Sequence, residues 1–181
     1  LVGSEMCIRD RARTLGFDKK RAWQATTAAF LHDIGKIALP DRLLQQPRQL
    51  FTAQEWRLLQ QHAGLGADIV EASLWLCDLA PAIRYHHERW DGADVPDGLT
   101  GEAISLEARL IAVAEAYHAM ISERPYQAAR SVDEAIKELE RGAGTQFDPA
   151  LIPLFREVLK SREQERSLPW GEIADRRFTQ V

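Results

Sequence analysis

Residues 28–36 read AAFLHDIGK, an apolar helical segment that ends on an adjacent histidine and aspartate. An imidazole nitrogen beside a carboxylate oxygen is a ligand set suited to a divalent transition metal. A second pair, His86-His87, follows later in the chain, and His62 and His118 complete the five histidines. Four of these five histidines lie in segments that also carry acids, a lysine or glycine turns. This pattern favours a metal-dependent hydrolase over isolated structural histidines.

The composition indicates one ordinary globular domain. The 181 residues are 45% apolar and 28% charged, with a formal net charge of −4. This charge argues against non-specific nucleic-acid binding, so neither DNA nor RNA is an expected partner. No apolar run approaches the length of a membrane span. Cys7 and Cys77 are too few for a disulfide framework, which favours a cytoplasmic location.

Hydrophobic periodicity and capping signals predict helices joined by short turns, with no convincing strand. Helices are predicted over residues 19–32, 52–75, 81–90, 104–122, 131–141 and 148–162. The first has an apolar stripe made of Ala22, Trp23, Ala25, Ala29 and Phe30.

Other signals place the caps, the centre and a loop of this helical chain. Thr52 with Glu55, and Ser131 with Glu134, have the spacing of capping boxes. The segment 104–122 is almost uniformly apolar, so it is expected to be the buried centre. Residues 91–101 are expected to form a loop.

Each candidate side chain also has an explanation that involves no metal. His32 and Asp33 alone fit a histidine favoured by the helix dipole and an aspartate that caps a turn. His62 alone is more readily a surface or core histidine. A carboxylate buried in an apolar helix, as predicted for Glu115, needs a metal, an arginine or hydrogen bonds. Neighbouring helical positions point about 100° apart, so the predicted helical pair at 86–87 could straddle two metals or a metal and a supporting group.

Several separated motifs together resemble one known family. They are LHDIGK at residues 31–36, His62, HHERWDG at residues 86–92 and SERPY at residues 122–126. Their order and spacing resemble the HD-GYP domains, bacterial phosphodiesterases of the HD superfamily that hydrolyse cyclic di-GMP. The resemblance runs from about Gly16 to about Leu159. It implies an all-α, HD-superfamily helical bundle that performs metal-assisted hydrolysis of a phosphodiester in a cyclic dinucleotide.

The resemblance also implies roles for individual residues. Two or three divalent ions, iron or manganese, would be held by six side chains: His32, Asp33, His62, His86, His87 and Glu115. Lys36 and Asp33 are the expected catalytic residues. Lys36 and Arg124 are expected to bind substrate, because fixed cations stabilise charge on phosphoryl oxygens. His118, one turn beyond Glu115, is expected to support the metal site by hydrogen bonding.

The chain departs from the family pattern at two positions in one helix and in one loop. Glu115 and His118 stand where the family pattern has aspartate. Residues 91–96 read DGADVP, where the pattern is Asp-Gly-x-Gly-Tyr-Pro. These departures leave two other functions open: a catalytically degenerate module that binds nucleotide or protein, and an HD phosphohydrolase acting on another nucleotide.

The chain is divided into three parts by sequence. Residues 1–11 resemble a non-native sequencing scar and are set aside from fold reasoning. Residues 12–162 are assigned to the HD-GYP-like domain, whose first helix, with one more histidine ligand, is expected to be missing. Residues 163–181 form a charged tail. The resemblance implies an upstream receiver or sensor domain, as in response regulators, and is compatible with a homodimer.

Overall fold

Helices joined by turns make up the described part of the chain, residues 16–123 and 128–166 of this computed structural model. In chain order the α-helices are α1 (Lys19–Leu31), α2 (Asp41–Gln45), α3 (Ala53–Gln60), α4 (His62–Glu71), α5 (Ala80–Arg84), α6 (Leu106–Ile121), α7 (Val132–Arg141) and α8 (Leu151–Arg166). Short 3₁₀ turns cover Ile34–Ala38, Arg48–Leu50, Cys77–Leu79 and Gly101–Ala103. No strand occurs in these residues, and the all-α prediction is confirmed.

Side-chain caps begin the helices where the sequence predicts them. The Thr52 hydroxyl accepts from the Glu55 N–H, and the Glu55 carboxylate accepts from the Thr52 N–H at the start of α3. Ser131 and Glu134 make the same reciprocal pair at α7. Each box satisfies backbone donors that a helix start leaves unpaired. Both predicted capping boxes are confirmed.

Two of the predicted helices are shorter than periodicity suggested. The segment predicted as one helix over 52–75 is two helices, α3 and α4, which meet at Gln61 and end at Glu71. The helix predicted to reach Trp90 ends at Arg84. The break at Gln61 and the C-cap at Tyr85 are each followed directly by a histidine, His62 and His86.

The central helix is α6, as its apolar sequence predicts. It packs against α1, α5, α7 and α8. Its buried side chains are Ala108, Leu110, Ile111, Val113, Ala114 and Tyr117. A helix that is apolar on most of its surface is stable only when neighbouring helices surround it. This accounts for the central position of α6 among the helices that pack against it.

The predicted apolar stripe of α1 is only partly buried. Its core-facing side chains are Ala25, Ala28 and Ala29. Trp23 and Phe30 are 52% and 63% exposed. The stripe prediction is therefore wrong for the two aromatic residues: the small alanines face the core and let α1 pack close to its neighbours.

Gly35 and Gly66 let the turn after α1 contact the backbone of α4. The position of a Cβ on Gly35 lies 2.0 Å from the His62 carbonyl oxygen and 2.5 Å from the Gly66 nitrogen. Side chains never approach backbone atoms this closely, so only glycine fits at position 35. The contact holds Asp33, two residues earlier, beside the start of α4.

Within residues 16–123 and 128–166, no helix has both the length and the apolar character that crossing a bilayer requires.

We expect Gly35→Ala to lower the free energy of unfolding by about 3 kcal/mol or more, because the new methyl group meets backbone atoms that cannot rotate away. Urea unfolding followed by circular dichroism measures the change. The matched control is Gly64→Ala in α4, where an added Cβ meets only the end of the Arg84 side chain at 3.7 Å. Alanine is favoured over glycine in a helix by about 1 kcal/mol, so the control should be neutral or more stable. Equal midpoints for Gly35→Ala and the parent would contradict the backbone contact.

Candidate metal centre

Three histidines hydrogen-bond to the ends of their own helices in the same way. Each Nδ1 lies close to the carbonyl oxygen three residues earlier: 2.7 Å from His32 to Ala29, 2.6 Å from His62 to Leu59 and 2.6 Å from His86 to Ile83. A carbonyl oxygen can only accept, so each Nδ1 carries a proton and donates it. In the neutral ring the Nε2 atom then keeps its lone pair, which is the arrangement of a metal-ligating histidine.

These bonds also account for the early helix ends. In a continuing helix, the carbonyl three residues before a histidine accepts the N–H of the residue after it. Histidine side chains near a helix end can take such carbonyls. His32 is the C-cap of α1, and His62 and His86 directly follow the C-caps of α3 and α5. The positions that periodicity extends as helix are therefore the positions where the histidines turn inward.

Two of these rings face Asp33. Asp33 Oδ1 lies 3.3 Å from His62 Nε2, and Asp33 Oδ2 lies 3.6 Å from His32 Nε2. His87 Nε2 lies 3.3 Å from His62 Nε2. His62 thus links Asp33 to the histidine pair.

Two groups of ligand atoms are compact enough to hold a metal ion. One contains His62, His86 and His87, and the other contains His32, His86 and Glu115; within each group the ligand atoms lie within 4.8 Å of one another. His86 belongs to both. The structure therefore places five of the six side chains predicted as ligands in these two groups. Asp33 belongs to neither group, but its carboxylate lies beside His32 and His62, and this cluster could hold divalent metal.

His86 and His87 lie side by side instead of diverging. The sequence predicts two helical neighbours about 100° apart, but α5 ends before them. They lie in a turn that the Glu88 N–H closes by donating to the Tyr85 carbonyl at 3.0 Å. Their ring centroids are 4.0 Å apart with a 41° tilt. The helical-spacing prediction is wrong here, and the turn is what lets both rings face His62.

Burial keeps the deepest histidine neutral. His86 is 1% exposed, and its Nε2 atom is buried with no hydrogen-bond partner. Burial holds the pKa of His86 well below its ordinary value, and the proximity of the His87, His32 and His62 rings acts in the same direction. An unpaired buried polar atom costs about 1–3 kcal/mol. A neutral Nε2 can donate its lone pair to a metal ion, so this set of ligand atoms fits such an ion.

Asp33 remains an anion among these rings. Burial by itself raises the pKa of its carboxyl group. The interactions with His62 and His32 and the ammonium group of Lys36 together outweigh burial and hold that pKa below its usual range. Lys36 Nζ forms an ion pair with Asp33 Oδ2. The predicted cation is therefore in place beside the cluster.

Glu115 is less buried than the sequence predicts. Its side chain on α6 is 36% exposed, and Oε2 lies 4.0 Å from His87 Nδ1. The expectation of a buried carboxylate inside an apolar helix is wrong, because this face of α6 borders a cleft. Burial lowers the pKa of His87, and the Glu115 carboxylate opposes that effect.

Two other predicted residues have no place in the two ligand groups. His118 Nδ1 lies 3.2 Å from the Ser122 hydroxyl, and its supporting role toward the metal stays a prediction. Arg124 lies outside the described residues, so its predicted role in binding substrate is untested.

A cleft of about 200 Å³ opens beside the cluster. Its lining includes His86, His87 and Glu115, together with Asp94 and Gln146, which sequence reasoning did not select. Asp94 lies in the altered loop motif, whereas nothing in the sequence marks Gln146. Glu88 and Arg89, which follow the histidine pair, also line the cleft. From sequence alone each could either orient the pair or be a surface charge, and the burial of Glu88 excludes the second for that residue.

Comparison with known proteins gives a consistent result. Residues 4–151 match the family model described as HD domain. The chain is 40% identical over 156 residues to the cyclic di-GMP phosphodiesterase response regulator RpfG of Xanthomonas campestris pv. campestris, covering 84% of this chain and 40% of RpfG. It is 37% identical over 142 residues to 3'3'-cGAMP-specific phosphodiesterase 3 of Vibrio cholerae, covering 78% of this chain and 30% of that protein.

A solved structure shares the fold. The crystal structure of a cyclic GMP-AMP specific phosphodiesterase of V. cholerae aligns with a TM-score of 0.71 at 18% identity, covering 97% of this chain and 47% of that one. Identity at this level concerns the fold alone. The chain thus spans less than half the length of each of these relatives.

We expect His86→Ala to lower the metal content of the chain, because His86 contributes to both ligand groups. Mass spectrometric metal analysis after loading with Mn²⁺ and gel filtration measures this. Metal-dependent stabilisation, about 2.7 kcal/mol at a metal concentration of 100 Kd, should fall in parallel. Gln61→Ala is the control, since Gln61 precedes His62 with an exposed side chain. Full metal content in His86→Ala would show that the histidines do not form the centre.

Proposed function

Since this chain belongs to the HD domain family, we propose that it is a metal-dependent phosphodiesterase domain that hydrolyses cyclic di-GMP. The observation that carries the proposal is the cluster of four histidines with Asp33 and Glu115, with Lys36 paired to Asp33 and a cleft adjoining. The name and 40% identity of RpfG support cyclic di-GMP as substrate and a response regulator as the setting. An upstream receiver or sensor domain, a homodimer and a cytoplasmic location are parts of the same proposal.

We propose that two or three divalent ions, iron or manganese, bind the six clustered side chains. The two ligand groups show where an ion can bind, and mixed imidazole and carboxylate ligands suit these metals. Because His86 has one free Nε2, it completes one group at a time, and the number of ions rests on the family resemblance. When bound, the ions supply Lewis-acid stabilisation of the charge that develops during hydrolysis.

The chain's own residues orient and charge the site. The three bonds from Nδ1 to helix carbonyls fix the tautomer and the direction of each ring. Asp33, as an anion, provides negative charge that offsets bound cations. Lys36 is held against Asp33, where its ammonium group can meet a phosphoryl oxygen in the transition state. A cation that is positioned before the reaction begins stabilises that charge without reorganisation.

Glu115 contributes the last carboxylate from the cleft side. Its exposed fraction of 36% leaves it open to the cleft. The sequence replaces the family aspartate by a longer acid here, yet Oε2 lies close enough to His32 and His86 to form a ligand group. We propose that the extra methylene is tolerated because α6 carries the carboxylate at the edge of the cleft.

The substrate is tested directly with two cyclic dinucleotides. The purified chain, loaded with Mn²⁺ or anaerobically with Fe²⁺, is incubated with cyclic di-GMP and with 3'3'-cGAMP, and the products are separated by chromatography. Cyclic di-GMP hydrolysis supports the proposal. Preference for 3'3'-cGAMP would favour the substrate named in the Vibrio relative. Metal binding without hydrolysis of either would favour the degenerate binding module that the altered loop leaves open.

We expect Lys36→Ala to retain metal while hydrolysis falls by about two to three orders of magnitude, because one preorganised positive charge is lost. Initial rates at saturating metal measure the effect. Lys137→Ala is the control: Lys137 is exposed on α7, so removal of the same charge there should leave the rate unchanged. A Lys36→Ala rate equal to that of the parent would exclude a role in the reaction.

We expect Glu115→Asp to preserve or raise hydrolysis, since it restores the acid of the family pattern. Glu115→Ala should lower the metal content and abolish turnover, because an anionic ligand is lost beside positive charge. Metal analysis and turnover are measured on the same samples. If Glu115→Ala keeps full metal content and activity, Glu115 is not a ligand.

A further inference from the structure

His86 and His87 lie in a turn that needs outside support. The turn begins after α5 ends at Arg84. Successive backbone hydrogen bonds fix the backbone of a helix and thereby the positions from which its side chains extend. A turn at a helix end has fewer of these bonds. The Nδ1 bond to the Ile83 carbonyl orients the His86 ring, but the position of the turn that carries both rings depends on what the neighbouring residues contact.

Glu88, directly after the pair, joins the turn to the loop formed by residues 91–101. Glu88 is 4% exposed. Its Oε1 atom accepts from the backbone N–H of Asp97 at 2.7 Å and of Gly98 at 2.9 Å. Hydrogen bonds to an ionised acceptor are stronger than neutral ones. Glu88 belongs to neither metal-ligand group, and the contacts of its Oε1 atom are with the 91–101 loop.

Tyr85, directly before the pair, contacts the same part of the loop. Its hydroxyl donates to Asp97 Oδ2 at 3.1 Å. The residues on both sides of His86 and His87 thus bond to one short segment, residues 97–98. Loop and histidine turn can shift relative to each other only if these bonds break.

The 91–101 loop is itself held in place. The Gly101 N–H donates to the Trp90 carbonyl at 2.9 Å and closes the loop. At its base the Asp91 N–H donates to the Thr145 carbonyl at 2.9 Å, in the connection between α7 and α8. Inside it, Gly92 has a φ of +74°, and a Cβ there would lie 2.5 Å from Thr100 Cγ2. These contacts close the loop on itself and attach its base to the connection between α7 and α8, so the largely exposed loop has a defined position from which it can support the turn.

We infer that the 91–101 loop is a buttress for the metal centre, and that Glu88 and Tyr85 are positioning residues that hold His86 and His87 toward His62. The inference rests on the proposed function and deepens it. Glu88 accepts hydrogen bonds from backbone N–H groups of the loop, and almost any residue supplies such a group. The altered sequence DGADVP can therefore keep this supporting role although it departs from the family pattern.

The test measures affinity for Mn²⁺ alone, by competition with a fluorescent chelator. Glu88→Ala should weaken binding by about 10- to 100-fold, the usual effect of losing a group that orients ligands. Glu88→Gln keeps an oxygen acceptor for the two N–H groups and should lose less affinity than Glu88→Ala. Glu102→Ala, which removes an exposed acid just beyond the loop, is the matched control and should bind as the parent does. Unfolding free energies in EDTA are measured for each variant.

The outcomes separate positioning from plain stability. Parent-like Mn²⁺ affinity in Glu88→Ala, with or without a lower unfolding free energy, overturns the inference. Equal losses in Glu88→Gln and Glu88→Ala also overturn it, because charge would then matter and the loop bonds would not. If Glu88→Ala does not fold, Tyr85→Phe decides: a loss of about fivefold, equivalent to one hydrogen bond of about 1 kcal/mol, supports the inference, and no loss overturns it.

The proposed function and this inference can fail separately. If the parent binds Mn²⁺ but hydrolyses no cyclic dinucleotide, the proposed phosphodiesterase function is overturned and the inferred supporting role of the 91–101 loop stands. If the parent hydrolyses a cyclic dinucleotide and Glu88→Ala binds Mn²⁺ with unaltered affinity, the supporting role of the 91–101 loop is overturned and the phosphodiesterase function stands. A parent that binds no Mn²⁺ overturns the inference outright.

Discussion

The backbone contact between Gly35 and the start of α4 is the constraint on which the site depends. A side chain at position 35 would overlap the His62 carbonyl oxygen. Because glycine permits the approach, Asp33 at the end of α1 lies 3.3 Å from His62 Nε2 on α4. Two segments that are separate in sequence thus contribute to one cluster. The small core-facing alanines of α1 let this helix pack close to its neighbours and help to keep the two segments together.

The second element is the repeated bond from histidine Nδ1 to a carbonyl three residues earlier. In His32, His62 and His86 it does two jobs with one contact. It satisfies a carbonyl at a helix end, which would otherwise lack a partner. It also places the proton on Nδ1 and leaves Nε2 for the centre of the cluster. The structural and the functional explanation of these histidines are therefore compatible: Nδ1 satisfies the helix end, and Nε2 faces the cluster.

Charge in the site is balanced by residues with different degrees of burial. His86 is deep, and burial keeps it neutral; Asp33 stays anionic through its neighbours; Glu115 is half exposed at the cleft. Buried donors and acceptors without partners are costly, so such a set is stable only with compensation. The 91–101 loop supplies part of it by satisfying one oxygen of the buried Glu88.

The sequence by itself determined the helical class, both capping boxes, the buried α6 and the identity of the six clustered side chains, because periodicity, caps and motif order are local properties. It did not determine where the helices around His62 and His86 end, since a side chain taking a carbonyl is not visible in apolar spacing. Nor could it show that Trp23 and Phe30 are exposed, that Glu115 faces a cleft, or that Glu88 is buried against the 91–101 loop. Those features depend on which distant segments lie beside each residue, and only the tertiary packing around Gly35 and α6 decides that.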